Sequence, residues 1–159
     1  MPIVIIDRAK SYLAMVRNAA KGENHMFRSL IASVDGVESD ILNNGALSCA
    51  FFASAVLYIN KLIGDMHAGV PGLERDLAAS GWHQIPDLRE GAVITWEPKK
   101  GSFVPGMGED HGHIGFYLGN ERAVSNGSNT TLMPEEHSAT YDGTRNIVRI
   151  WWHSVLDGK

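Results

Sequence analysis

ALSCAFFASAVLYINKLIG, residues 46–64, sets how the rest of the chain is organised. It holds the only cysteine of the chain, Cys49, at the head of an apolar run with helical spacing. Phe52, Ala53, Val56, Ile59 and Ile63 form one stripe, and Phe51, Ala55, Tyr58 and Leu62 widen it until the helix is apolar nearly all round. Such a helix belongs at the centre of a domain. Its first turn offers unpaired N–H groups and the positive end of the macrodipole, which lower a thiol pKa and make a nucleophile. Free cysteine is equally a small hydrophobe that fills cores, so the residue by itself leaves both roles open.

Outward from this helix the pattern divides in two. On the N-terminal side, Tyr12, Leu13, Val16 and Ala19 recur at helical spacing, with Asp7 as N-cap and Gly22 as stop. Residues 22–45, containing SVDGVES and NNG, read as irregular with a short strand or turn. After the break MHAGVPG, the run LERDLAASGW reads as a third helix, with Pro71 just ahead and Gly81 at its end. Beyond Pro86, GAVITWE, HIGFYLG, RAVSN and NIVRIWW are short, rich in β-branched and aromatic residues, and separated by turn formers. An α+β domain follows, with N-terminal helices and the Cys49 helix packed on a C-terminal antiparallel sheet, spanning 1–159 as one unit. Two long polar connections, 98–112 and 127–145, are expected to shape a cleft.

Composition narrows the classes of partner. The chain is 44% hydrophobic and 20% charged with a net charge of −4, so nothing attracts a nucleic-acid backbone or an anionic membrane surface. One cysteine forms no internal disulfide. The N-terminus has an apolar run of four residues without a basic segment before it, so no signal peptide is read. The expected compartment is the cytoplasm, with export by a non-classical or phage-type route as the alternative.

Nucleophilic cysteine chemistry needs an imidazole base and a polar group to orient it. The segment HGHIGFYLGNERAVSN, residues 111–126, offers both in one hairpin. With Gly119-Asn120 as its two-residue turn, residue i pairs with 239 minus i, so His113 faces Asn126, whose amide oxygen accepts an imidazole N–H. A one-residue slip or a bulge brings Ser125 to that face instead. His111 points the same way as His113 and, with Asp110 or Glu109, makes a rival divalent-metal site. No nucleotide or cofactor motif is present.

In order, SCAFFASAVLYI, REGAVITWE and HGHIGFYLGNERAVSN resemble the three core motifs of the NlpC/CHAP superfamily of papain-like cysteine peptidases and amidases. The likeness covers about residues 46–126. It implies a papain-like fold, Cys49 as nucleophile, His113 as base and Asn126 as third member, with Ser125 the alternative. His111, Ser48 and Trp96 are then expected to line the cleft, and no metal or cofactor is expected. The implied activity is hydrolysis of an amide or peptide bond, with cell-wall (peptidoglycan) peptides as the substrate class. Three rivals remain: an acyl or peptidyl transferase on the same scaffold, a non-catalytic binding module, and a His-based metal protein.

Overall fold

The computed structural model describes residues 1–99 and 112–158. The chain is a mixture of helices and antiparallel sheet. Helix α1 (Arg8–Ala19) starts where expected, because the Asp7 side chain accepts a hydrogen bond from the Lys10 N–H. Its buried face is Ala9, Tyr12, Leu13 and Val16. Helix α2 (Cys49–Ile59) begins at the cysteine and buries seven consecutive-run and facing residues from Ala50 to Leu57 except Phe51. Helix α3 (Val70–Ala79) starts one residue earlier than the proline suggests, with Pro71 inside its first turn. Gly81, at a φ of 94°, follows its end.

Between α1 and α2, the segment read as irregular forms a two-stranded hairpin, β1 (Ile31–Val34) and β2 (Val37–Asp40). Its turn residues Asp35 and Gly36 both have positive φ, at 51° and 82°, as a two-residue hairpin turn of this twist requires. The remaining strands among the described residues are β3 (His83–Gln84), β4 (Val93–Trp96), β5 (His113–Gly119), β6 (Arg122–Asn126), β7 (Pro134–Ser138) and β8 (Ile147–Trp152). They form one six-stranded sheet in the order β3-β8-β4-β5-β6-β7 with every pair antiparallel. Strand β7 runs through the middle of what the sequence presents as a continuous loop, 127–145.

Alternation along the strands sorts side chains onto two faces. Val93, Ile114, Phe116, Leu118 and Val124 join the helices in the main core. Phe116 is its pivot: Phe52 from α2 and Tyr12 from α1 both meet it edge-on at 5.7 Å, and the Tyr12 hydroxyl donates to the Gly91 carbonyl at 2.9 Å. The opposite face carries a smaller cluster of Ile94, Trp96, Tyr117, Ala123 and Ala139. Among the described residues, no helix is long and apolar enough to cross a membrane.

The β5–β6 hairpin departs from its expected register. Its turn is Asn120-Glu121, both at positive φ (50° and 60°), and not Gly119-Asn120. The pairing shifts between Tyr117 and Gly119, so Phe116 faces Val124 and Tyr117 faces Ala123. Pairs therefore sum to 240 and not 239, which exchanges the faces of everything on β6. Gly115 lies opposite Ser125, and only a residue without a side chain fits there. A Cβ at Gly115 would sit 2.5 Å from the Val124 carbonyl oxygen, 2.7 Å from the Ser125 Cβ and 3.2 Å from the Trp96 ring. Gly115→Ala should lower stability by about 1–3 kcal/mol through this overpacking, read as a lower urea midpoint at unchanged slope.

Candidate functional site

The site forms where the start of β5 meets the first turn of α2. Among the described residues, no hydrogen bond joins the side chains of Cys49 and His113. Their link is electrostatic: the backbone N–H of Ile114, next to His113, lowers the pKa of the Cys49 thiol, as do the N–H groups of Cys49 and Ala50. Arg145 acts on both groups, since its positive charge lowers the pKa of Cys49 and of His113.

The expected helix-terminus donors are thus in place, but they do not produce a resting thiolate. Burial is the largest influence on the thiol and pushes its pKa above the ordinary value despite the N–H groups and Arg145. Burial also holds His113 well below the usual histidine range, reinforced by the charges of Arg145 and His137. At neutral pH the two groups are a thiol and a neutral imidazole.

The third group is Ser125. His113 Nε2 lies 2.8 Å from Ser125 Oγ, a diagonal contact between neighbouring strands on one face. Asn126 does not meet His113. With the register at 240 it falls on the helix face, where its side-chain amide donates to the Gly45 carbonyl at 2.7 Å. Its Oδ1 is buried without a partner. Gly45, at a φ of 98°, packs so closely on the Leu132 carbonyl that a Cβ would lie 2.6 Å from that oxygen.

Two further residues complete the network, and both were hidden in the stretch read as a loop. Ser125 Oγ is 2.7 Å from His137 Nε2 and 3.1 Å from the Tyr141 hydroxyl. The rings of His137 and Tyr141 stack at 4.2 Å. Trp96 lies beneath them, 5.2 Å from the His113 ring and 5.6 Å from that of His137. Its indole N–H donates to the Ala139 carbonyl. His137 has one legible signal, its place two residues from Glu135 in the alternating run PEEHS, but charged residues there obscure the strand.

A cleft of about 620 Å³ opens beside His113 and Asn126. Residues 127–130, Glu135, Tyr141 and Arg145 wall one part of it, and residues 97–99 another. Ser48 and Trp96 are fully buried and do not line it, contrary to expectation. Trp96 is instead the apolar floor of the histidine pair, and the Ser48 hydroxyl is buried without a partner. Cys49 is not among the lining residues either. His111, Asp110 and Glu109 lie outside the described residues. Among the described residues, no three His, Cys, Asp or Glu side chains gather as metal ligands do.

Compared with protein-family models, with curated proteins and with solved structures, the chain gives no match.

The buried histidines dictate a pH dependence. His113 and His137 both titrate below the ordinary value of 6.5 in the folded chain, burial being the first cause for each. The unfolded chain therefore binds more protons just below pH 6.5, so stability is full above that value and falls as pH is lowered through it. Two such groups give a slope approaching about 2.7 kcal/mol per pH unit. Urea midpoints measured from pH 8 to pH 5 should fall over this interval, and His137→Phe should flatten the fall.

Proposed function

We propose that this chain is a papain-like cysteine hydrolase of the NlpC/CHAP kind, cleaving an amide or peptide bond, with cell-wall peptides as its substrate class. The observation that carries the reading is the junction at Ile114. The N–H that follows His113 lowers the pKa of the single thiol, while a buried hydroxyl holds Nε2 of that same imidazole. An α+β architecture with the cysteine opening a buried helix against an antiparallel sheet also supports it. The substrate class rests on the motif resemblance alone.

The chemistry follows from the resting protonation states. Both groups are neutral, so the proton leaves Sγ as the sulfur attacks, taken by the imidazole nitrogen that Ser125 does not engage. The new C–S bond places negative charge on the carbonyl oxygen, which the Cys49 N–H can meet at the helix terminus. The imidazolium then protonates the departing amine, leaving a thioester on Cys49. Water, deprotonated by the same ring, adds to the thioester, and collapse releases the acid and returns the proton to sulfur.

A second reading, a binding module that uses the cleft without catalysis, is favoured by one observation: burial raises the thiol pKa and no bond joins it to His113. One experiment separates the two. The single thiol makes intact-mass measurement unambiguous, so the rates of modification by iodoacetamide and by a peptidyl epoxide are followed from pH 5 to 9. For the hydrolase, the epoxide labels Cys49 once per chain, and His113→Ala slows that labelling by about 10²-fold or more, the usual worth of a positioned base. Equal rates in both proteins, tracking an ordinary thiol titration, would leave the binding module.

A further inference from the structure

The hydroxyl of Ser125 is shared by three partners, and its bonding capacity fixes the direction of every hydrogen bond around it. His137 Nδ1 lies 2.8 Å from the Ser138 carbonyl oxygen. A carbonyl only accepts, so Nδ1 carries the proton, and the neutral ring presents a bare Nε2. The ring is neutral because burial lowers its pKa, against the opposing carboxylate of Glu135 and alongside the charges of Arg122 and Arg145. Bare Nε2, 2.7 Å from Ser125 Oγ, must receive the serine hydrogen.

A serine hydroxyl has one hydrogen and two acceptor sites. With the hydrogen committed to His137, the other two neighbours must donate. Tyr141, its phenol pushed up to about 12 chiefly by burial and so fully protonated, donates across 3.1 Å. His113 must donate from Nε2 across 2.8 Å. A neutral imidazole protonated at Nε2 has its lone pair at Nδ1, the nitrogen that a base facing the thiol needs.

We propose that His137 is a positioning residue which, acting through Ser125, fixes the Nε2–H tautomer of His113 and so presents Nδ1 as the base. Its meaning for catalysis rests on the hydrolase reading, while the tautomer itself does not. Without the His137 acceptor, the serine hydrogen is released to turn toward His113. That ring then accepts at Nε2, carries its proton at Nδ1, and offers no lone pair to sulfur.

Ring-nitrogen NMR of the ¹⁵N-histidine-labelled protein reads the tautomers directly, the seven histidines being assigned with single substitutions. At pH 7.5, His113 should show a protonated Nε2 and a bare Nδ1, and His137 the reverse. His137→Phe, which keeps a ring on Tyr141, should convert His113 to a mixed or Nδ1–H form. It should also slow alkylation of Cys49 by about tenfold or more, in line with the loss seen when a base is held in the wrong tautomer. His137→Gln, whose amide oxygen can receive the serine hydrogen, should restore both. Should His137→Phe fail to fold, Ser125→Ala reads the same coupling, since His113 then loses its fixed acceptor. A bare Nε2 on His113 in the native protein, or a tautomer unchanged in His137→Phe and Ser125→Ala, would overturn the proposal. If the tautomers behave as stated while Cys49 reactivity ignores His113→Ala, the positioning role stands and the hydrolase reading falls.

Discussion

The alternation of side chains across the β5–β6 pair governs which groups can meet at the site. A two-residue turn at positive φ and a shift near Leu118 set that alternation at the far end of the hairpin. From there it runs down the ladder to Gly115 opposite Ser125, and one step further places His113 and Ser125 on one face with Asn126 on the other. Gly115 is part of the same constraint, because any side chain there would occupy the space that Ser125 and Trp96 fill. His113 and Ser125 are consequently buried beside the rings of Trp96 and Tyr141.

Burial therefore dominates the electrostatics. A helix terminus stabilises an anion by roughly 0.3–1 kcal/mol at exposed sites and up to about 2 in buried ones. Full burial can move a pKa by several units, each worth about 1.36 kcal/mol. The Cys49 thiol obeys the larger effect, and so does the His113 imidazole. Arg145 opposes burial at the sulfur and adds to it at the ring, so it lowers both values together.

The main elements were legible in the residues. Asp7 capping α1, the all-round apolar α2 and the β-branched runs of β4, β5, β6 and β8 carry strong local signals of capping, periodicity and propensity. The β1–β2 hairpin reads only as irregular chain with a short strand or turn, because its strands are four residues long and almost wholly exposed and so carry no buried alternation, although Asp35-Gly36 between two valines marks its turn. Strand β7 was not legible, because PEEHS has the composition of a loop and pairs only by virtue of β6 beside it. With β7 went His137. The choice between Ser125 and Asn126 depended on a one-residue irregularity in a ladder, and such a shift leaves no mark in hydrophobic periodicity.

Gly45 joins two parts of the chain that are otherwise far apart. Its carbonyl is bound by Asn126, and its Cα rests against the backbone of Leu132 in the connection that walls the cleft. It also lies four residues ahead of Cys49. The connection that walls the cleft and the approach to the first turn of α2 thereby touch at Gly45, in a contact too tight to admit a methyl group. A side chain introduced at Gly45 would therefore press on Leu132 and disturb, through one contact, both the connection that walls the cleft and the peptide that leads into α2.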